Sequence, residues 1–207
     1  MIEAVLFDID GVLMDSREAN LDFYRRLVLQ YGYPPAREED LARGHYLNLL
    51  ETIALVTGEE NEERVREIWQ EARALEGYRM ELVQQPDGGV EILEALQSKY
   101  RLGVVTSRIK EGVEHYFENF GNRDRFEVAV SYDDSDRHKP APDPLFVACE
   151  RLGVKPAHTV YVGDAETDRQ CAKAAGTHFI AYGDVIMGHT PTVTSFRELE
   201  RAIEGFC

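Results

Sequence analysis

Cysteine is scarce in this sequence, and the few cysteines present do not have the spacing of a metal site. Cys149, Cys171 and Cys207 lie far apart along the chain, whereas zinc ligands and redox-active pairs are separated by only a few residues. Disulfide frameworks are typical of small secreted proteins rich in cysteine. We therefore expect reduced thiols, as in a cytosolic protein, and no cysteine-based metal centre.

Long apolar runs are also absent from the sequence. No stretch approaches the roughly 18 consecutive apolar residues that a membrane-spanning helix requires. The first residues lack the basic segment and the long apolar stretch of a signal peptide, and they lead directly into a predicted strand. We expect a cytoplasmic protein with no membrane partner.

Positive charge is in deficit. The sequence has 23 lysine and arginine residues against 38 aspartate and glutamate residues, which gives a net charge of −15 at pH 7. Because nucleic acids and anionic membranes are themselves negative, this charge argues against both as partners. It still allows a small phosphorylated metabolite, provided that a metal ion and a few cationic side chains surround the phosphate. The lack of a long apolar stretch favours a monomer or a homodimer.

Apolar residues make up 43% of the 207 residues, which is enough for a substantial core. Beyond Pro86, helical and strand patterns alternate, and this alternation is typical of a parallel sheet covered by helices on both faces. The sequence therefore predicts a Rossmann-like, doubly wound α/β core. The strands are expected near 102–105, 126–130, 159–162 and 178–181, and the helices near 90–96, 113–120, 144–152, 167–175 and 195–204.

The segment between Asp15 and Pro86 shows helical spacing and no strand pattern. Helices are predicted up to Gly32, over about 38–57 and over 61–80. We therefore expect an all-helical domain, residues 15–86, inserted after the first strand of a core formed by residues 1–14 and 87–207.

Two aspartates follow the first apolar run, which starts at Ala4 and has the length of a buried strand. Because strand side chains alternate between faces, Asp8 and Asp10 are expected to point into one site, where their mutual repulsion calls for a cation. Gly11 allows a sharp turn directly after them. The alternative is an ordinary acidic turn at the end of a strand.

Polar residues also follow the later predicted strands, and ligands of such folds bind beyond the carboxyl ends of the strands. Thr106 and Ser107 follow the second strand, Lys139 comes after the third, and Asp164 and Asp168 follow the fourth. Carboxylates, a hydroxyl group, backbone N–H groups and one lysine together fit Mg²⁺ and a phosphate group.

These motifs, in this order, resemble those of the haloacid dehalogenase superfamily, in its phosphoglycolate phosphatase-like and β-phosphoglucomutase-like branch. The four pieces span nearly the whole chain, and the helical insertion is similar to the cap domain of that branch. The matching residues are Asp8-x-Asp10-Gly11-Val12, Thr106-Ser107, Lys139-Pro140-x-Pro142-Asp143 and Gly163-Asp164-x-x-x-Asp168.

The resemblance implies a Mg²⁺-dependent phosphatase that acts through an aspartyl-phosphate. Asp8 would be the nucleophile, and Asp10 would be the general acid and then the general base. Asp8, Asp164 and the backbone carbonyl of Asp10 would hold Mg²⁺.

The resemblance also implies roles for the residues around the phosphate. Thr106 and the backbone of Ser107 would bind the transferring phosphoryl group, and Lys139 would neutralise charge on the phosphate and the nucleophile. Asp168 would order Lys139 or a metal-bound water. In the cap, Arg43 and His45 are candidates for contacting the leaving group.

Each of these residues also has a purely structural alternative. The Thr106-Ser107 pair could cap the next helix, Lys139 could be a surface lysine, and Asp168 could be a surface acid near a helix N-terminus. The stretch that contains Arg43 and His45 could be a polar helix surface. The acidic loop 133–136 is expected to be solvated, and His138 is a weaker candidate for substrate contact.

Three departures from the family patterns bear on the reaction. Asp10 favours phosphate-ester chemistry, because the dehalogenases and phosphonate hydrolases lack an acid at this position. Asn20 stands where the β-phosphoglucomutases have a histidine, which favours hydrolysis over a phosphomutase reaction. Glu166 adds negative charge beside the metal loop, where it could alter metal affinity or reject anionic substrates if it points inward. A phosphomutase and a non-catalytic binding protein with the same fold stay open as alternatives.

Overall fold

The structure is a computed structural model that describes residues 1–44, 47–72, 78–183, 186, 188 and 191–206. The chain divides into two compact units. One unit comprises Met1–Asp15 together with Gln85–Cys207, and the other comprises Ser16–Gln84.

The first unit is built on a sheet that has six strands in the described residues, each parallel to its neighbours. In chain order the strands are β1 (Ala4–Phe7), β2 (Arg101–Val105), β3 (Val128–Val130), β4 (Thr159–Gly163), β5 (His178–Tyr182) and β6 (Thr192–Val193). Their spatial order is β3-β2-β1-β4-β5-β6. This order reverses its direction at β1, as in doubly wound folds, so the predicted Rossmann-like fold is confirmed.

Helices cover both faces of this sheet. After the helical insertion, the chain forms α5 (Gly89–Gln97), α6 (Lys110–Phe120), α7 (Asp143–Leu152), α8 (Glu166–Ala175) and α9 (Leu199–Glu204). Helix α7 packs on β2 and β3, α8 packs on β4 and β5, and α5 packs on β2 and α9.

Strand β1 is fully buried because its alternate side chains enter two different apolar layers. Leu6 belongs to a core cluster that includes residues of α7 and α8. Phe7 points the other way and contacts the rings of Phe126 and Phe196, each with a centroid distance of 6.3 Å. A strand enclosed on both faces places polar groups beyond its end, and Asp8 is the first residue there.

The second unit is a helical unit with a core of its own. It contains α1 (Arg17–Gln30), α2 (Glu38–Gly44), α3 (Leu49–Thr57) and α4 (Glu62–Ala72), followed by a 3-10 turn at Met80–Leu82. The fully buried side chains of Leu27, Leu41, Ile53 and Ile68 pack together in one cluster. Across both units, no helix in the described residues combines the length and the apolar character needed to cross a membrane.

The structure differs from the predicted elements in the helical unit. The single helix predicted over about 38–57 is two helices, because Asn48 and Glu51 form a capping box that starts α3. The helix predicted over 61–80 does not reach residue 80, since α4 is described over Glu62–Ala72 and residues 78–79 are not helical. Residues 73–77 lie outside the described part of the chain.

The core unit differs in smaller ways. Strand β6 was not predicted, because two residues are too few to show a periodicity. The last helix is preceded by a 3-10 turn, Phe196–Glu198. Ser195 caps this turn, because its side chain accepts a hydrogen bond from the Arg197 N–H.

Candidate active site

The polar residues that were predicted to share a site follow three adjacent strands. Strand β1 lies between β2 and β4. Asp8 and Asp10 follow β1, Thr106 and Ser107 follow β2, and Asp164 follows β4. Because parallel strands end at the same edge of a sheet, the topology alone brings these residues to one place.

Asp8 is held in a fixed position by hydrogen bonds on three sides. Its N–H donates to the Val162 carbonyl at 2.9 Å, which extends the ladder between β1 and β4 by one residue. Its Oδ1 accepts from the Ile9 N–H at 2.7 Å, and its Oδ2 accepts from Lys139 Nζ at 2.9 Å. Asp8 is only 7% exposed.

The turn after Asp8 contains a glycine that no other residue could replace without displacing Asp164. Gly11 has a φ of +73°, and a Cβ placed on it would lie 1.9 Å from Asp164 Oδ2. The Gly11 N–H donates to the Met14 carbonyl and closes the turn. The Asp164 carboxylate therefore lies directly against the backbone that follows β1.

Lys139 is a buried cation that joins two aspartates. Its side chain is 4% exposed, and Nζ donates to Asp8 Oδ2, to Asp168 Oδ1 at 2.7 Å and to the Tyr161 hydroxyl at 3.0 Å. An ammonium group has three N–H donors, so these contacts engage all of them. Burial on its own lowers the pKa of Lys139, but the charges of Asp168 and Asp8 outweigh it and raise that pKa. Lys139 is therefore charged, and it is not a surface lysine.

Asp168 is fully buried, so the alternative of a surface acid is wrong. Its Oδ1 accepts from Lys139 and from the Tyr161 hydroxyl at 2.9 Å. Its Oδ2 accepts from the Ala165 N–H at 3.0 Å, at the start of α8. A Cβ on Gly163 would lie 2.5 Å from Asp168 Cβ, so the glycine before Asp164 makes room for Asp168.

Tyr161 belongs to this network and was not predicted. Its hydroxyl lies 3.0 Å from the Val105 carbonyl and 2.9 Å from Asp168 Oδ1, and it accepts from Lys139. The ring is fully buried in β4. The sequence feature that could have indicated Tyr161 is a tyrosine within a predicted buried strand, because a buried phenol needs a polar partner.

Three carboxylates form a compact acidic cluster: one oxygen each of Asp8, Asp164 and Asp168 lies within 4.8 Å of the others. Burial, together with the charges of Asp168 and Asp8, raises the pKa of Asp164 to about 8. Burial also raises the pKa of Asp8 to about 7, although the Lys139 ammonium lowers it. Burial and like charge both disfavour ionisation of these carboxyl groups, and a bound cation would offset both effects.

This donor set fits a divalent cation such as Mg²⁺, which prefers carboxylate oxygens. Both oxygens of Asp168 already accept hydrogen bonds from Lys139, Tyr161 and Ala165. Asp8 and Asp164 are therefore better placed to supply ligands than Asp168.

Arg108 is a second cation at the site, and it was not among the predicted site residues. Its Nε donates to Asp10 Oδ2 at 2.7 Å, and its NH2 group donates to Asp10 Oδ1 at 2.8 Å. Its N–H donates to Thr106 Oγ1 at 3.2 Å. The sequence feature that could have indicated Arg108 is a basic residue directly after Thr106 and Ser107, at the carboxyl end of β2.

The remaining candidates have varied environments. Thr106 is buried and Ser107 is half-buried. Arg43 is exposed in the last turn of α2, and His45 lies outside the described residues. Glu166 pairs with Arg169 and accepts from Gln170 on its own helix, with its side chain half-exposed.

The acidic loop after β3 has a structural role. Asp134 accepts from the N–H and hydroxyl groups of Ser131, and Asp133 accepts from the Lys110 N–H at the start of α6. His138 stacks on Tyr132, with a centroid distance of 3.5 Å. These contacts order the loop before Lys139.

The chain is similar to known proteins over most of its length. Pyrophosphatase PpaX of Bacillus velezensis is 30% identical over 178 residues, which cover 85% of this chain and 81% of that protein. The phosphoglycolate phosphatase of Xanthomonas campestris is 32% identical, over 86% of this chain and 81% of that protein. The crystal structure of a haloacid dehalogenase-superfamily hydrolase of subfamily IA from Geobacter sulfurreducens superposes with a TM-score of 0.79. It is 30% identical and covers 97% of this chain and 99% of that one.

The family model described as haloacid dehalogenase-like hydrolase matches residues 5–182, from within β1 to the end of β5. The resemblance expected from the four motifs is thereby confirmed. The chain belongs to the haloacid dehalogenase-like hydrolase family.

Proposed function

We propose that this protein is a Mg²⁺-dependent phosphatase that hydrolyses a small phosphorylated metabolite through an aspartyl-phosphate on Asp8. The observation that carries the proposal is the position of Asp8. Its carboxylate is fixed between Lys139 and the Ile9 N–H, and it lies within 4.8 Å of oxygens of Asp164 and Asp168. The relatives named pyrophosphatase, phosphoglycolate phosphatase and N-acetylmuramic acid 6-phosphate phosphatase support this class of substrate.

In the first step an Asp8 oxygen attacks phosphorus, the bond from phosphorus to the leaving oxygen breaks, and Asp10 gives a proton to that oxygen. In the second step water attacks phosphorus and gives its proton to Asp10, which releases inorganic phosphate and restores the Asp8 carboxylate. Splitting one difficult displacement into two easier ones lowers the barrier.

Lys139 offsets negative charge around the reacting phosphoryl group. Its ammonium donates to Asp8 Oδ2, so it reduces the repulsion between the nucleophile and the phosphate. Asp168 and Tyr161 keep this ammonium in place. The Thr106 hydroxyl and the Ser107 backbone N–H are the proposed donors to the phosphoryl oxygens.

Mg²⁺ would be held by Asp8, Asp164 and the Asp10 carbonyl, where it would neutralise charge on the phosphate and orient it toward the nucleophile. The charges of the surrounding side chains support the proposal that a cation binds here. Four carboxylates, those of Asp8, Asp10, Asp164 and Asp168, face two cations, Lys139 and Arg108.

Hydrolysis is favoured over a phosphomutase reaction by the residue in the first cap helix. Asn20, which stands where the mutases have a histidine, receives a hydrogen bond from the Tyr78 hydroxyl at 2.7 Å. Its amide donates to Ser16 Oγ at 3.3 Å. An amide cannot act as a general base, so Asn20 would not supply the proton transfer that a histidine could.

The test is phosphate release from a panel of phosphate esters and pyrophosphate with Mg²⁺, using Asp8→Asn and a matched control. Asp124→Asn removes an exposed carboxylate of the same unit. We expect Asp8→Asn to lower kcat by at least about a thousandfold, since an amide cannot form the acyl-phosphate, and Asp124→Asn to retain wild-type turnover. Near wild-type turnover by Asp8→Asn, or turnover that persists after thorough chelation of Mg²⁺, would contradict the proposal.

A further inference from the structure

Lys139 lies in a tight turn of the backbone, after the acidic loop that follows β3. The Ala141 N–H donates to the His138 carbonyl at 2.8 Å, which closes the turn around Lys139 and Pro140. The Lys139 side chain is buried, and its ammonium engages all three of its N–H donors. Close packing leaves such a side chain little room to adjust, so a shift of the turn moves the ammonium relative to Asp8.

The turn is held from the side of α8 by a buried thiol. Cys171 Sγ lies 3.0 Å from the Ala141 carbonyl oxygen, and Cys171 is fully buried. Cys171 comes three residues after Asp168, which accepts from Lys139, so the two side chains lie on the same face of α8. Helix α8 therefore contacts the turn through a carboxylate at Lys139 and through a thiol at Ala141.

An aromatic pair holds the same turn from the loop after β2. His138 stacks on Tyr132, with ring centroids 3.5 Å apart and ring planes 19° from parallel. The Tyr132 N–H donates to the Arg108 carbonyl at 2.7 Å, so the backbone of Tyr132 is fixed to the loop that contains the proposed phosphate donors. Tyr132 therefore links that loop to the turn that carries Lys139.

We propose that Cys171 and Tyr132 are positioning residues for Lys139, which fix the turn and thereby the distance between the Lys139 ammonium and the Asp8 carboxylate. This inference rests on the proposed function, in which Lys139 offsets charge between Asp8 and the phosphate. Electrostatic stabilisation of this kind depends on groups that are already in place before the reaction. Neither positioning residue is proposed to touch the substrate, so loosening the turn is expected to lower kcat and to leave KM nearly unchanged.

The first experiment compares two buried cysteines of the same apolar cluster. Cys171→Ala removes the thiol that contacts the turn, and we expect kcat to fall about fivefold or more with KM changed less than about twofold. Cys171→Ser restores a donor to the Ala141 carbonyl and is expected to recover most of this loss. The matched control is Cys149→Ala, which is expected to retain wild-type kcat. Cys149 Sγ lies 3.7 Å from Thr159 Oγ1, at the amino end of β4 and away from the site.

The second experiment changes the aromatic pair. Tyr132→Leu removes the ring that supports His138 and is expected to lower kcat about fivefold or more. Tyr132→Phe keeps the stacked ring and is expected to retain most of the turnover. The matched control is Phe206→Leu, which is expected to leave kcat unchanged. The Phe206 ring lies against His178, with centroids 4.6 Å apart, at the amino end of β5.

A measurement that needs no turnover reports on Lys139 itself. The NH₃⁺ group of a buried and hydrogen-bonded lysine exchanges its hydrogens slowly with water, so its signal can be followed by NMR and assigned by its loss in Lys139→Met. We expect Cys171→Ala and Tyr132→Leu to shift this signal and to speed the exchange. The two controls, Cys149→Ala and Phe206→Leu, are expected to leave the signal unchanged.

These measurements separate the inference from the function on which it rests. Wild-type kcat in Cys171→Ala and Tyr132→Leu, or an unchanged Lys139 signal in both, would overturn the inference. Equal losses of kcat in each variant and its control, or no recovery in Cys171→Ser and Tyr132→Phe, would also overturn it, since packing alone would then explain the losses. If the wild type hydrolyses none of the phosphate esters or pyrophosphate, the proposed function fails, and the NMR comparison still decides whether the two residues position Lys139.

Discussion

At the scale of single residues, the site depends on how one buried ammonium is shared. Lys139 donates to Asp8, Asp168 and Tyr161. Asp168 and Tyr161 are not proposed to touch the substrate, so the role we propose for them is to position Lys139 beside Asp8, the proposed nucleophile.

Tyr161→Phe tests this positioning role, because it removes the hydroxyl and retains the ring. We expect kcat to fall about tenfold with little change in KM, since Lys139 shifts relative to Asp8 while the rest of the site stays intact. Steady-state kinetics measure the changes in kcat and KM, and thermal unfolding measures any loss of stability. The matched control is Tyr116→Phe, which removes another buried hydroxyl, one that accepts from Asn122 Nδ2 at 2.8 Å. If both variants lower kcat equally, the effect is a general loss of stability and the positioning role is wrong.

The acidic and hydroxyl residues of the site could be predicted from the sequence, but Arg108 and Tyr161, which form hydrogen bonds with site residues, could not. Asp8, Asp10, Thr106 and Asp164 follow strands, and the position of a strand end can be inferred from an apolar run. The contacts made by Arg108 and Tyr161 join side chains that lie 98, 56 and 22 positions apart in sequence. No local pattern indicates which of many arginines and tyrosines forms such contacts.

At the scale of secondary-structure elements, the turn after β1 determines how closely Asp164 can approach. Residues 9–14 form a tight turn in which the Leu13 and Met14 N–H groups donate to the Ile9 carbonyl. Gly11 lies in this turn with its backbone against the Asp164 carboxylate.

Gly11→Ala is expected to lower Mg²⁺-dependent activity at least about a hundredfold. The added Cβ would overlap Asp164 Oδ2 and displace a proposed metal ligand, and it would strain a residue with positive φ by roughly 1–2 kcal/mol. Gly121→Ala separates these two effects. Gly121 has a φ of +60° and no neighbouring atom within 4 Å of an added Cβ, so this variant carries similar strain without touching the site. Equal losses of activity in the two variants would show that strain alone is responsible.

Most elements of the fold could be predicted, because α-helices and buried strands have distinct periodicities. The errors occurred where a local signal interrupts a longer pattern. The capping box of Asn48 and Glu51 starts a new helix within an apolar stripe that continues on both sides. Strand β6 is held by its pairing with β5, a contact that two residues of sequence cannot indicate.

At the scale of the whole molecule, negative charge is in excess over the chain, and carboxylates also outnumber cations among the site residues named above. The chain carries a net charge of −15, and within the site burial and neighbouring carboxylates raise the pKa values of Asp8 and Asp164. A carboxyl group whose pKa is raised by folding binds more protons in the folded protein than in the unfolded chain. Its contribution to stability is therefore present below its ordinary pKa of about 4. That contribution is lost as the pH rises through the raised pKa values, about 7 for Asp8 and about 8 for Asp164.

This pH dependence makes stabilisation by Mg²⁺ a direct test of the metal site. Mg²⁺ binds the ionised carboxylates, so the increase in Tm on adding Mg²⁺ is expected to be larger at about pH 8.5 than at about pH 5.5. Differential scanning fluorimetry with and without Mg²⁺ at both pH values measures it. Asp164→Asn is expected to remove most of the increase, and Asp124→Asn to retain it. An increase in Tm that does not depend on pH or on Asp164 would contradict the assignment.

The central claim, that Asp8 carries the phosphoryl group, is tested most directly by trapping the intermediate. The protein is mixed with Mg²⁺ and a substrate that it turns over, quenched in acid within the first turnovers, and digested for mass spectrometry. We expect one added phosphate on the peptide that contains Asp8, lost on mild alkaline treatment as an acyl-phosphate is, and absent from Asp8→Asn. Turnover without this modification, or a phosphate on another residue, would contradict the claim.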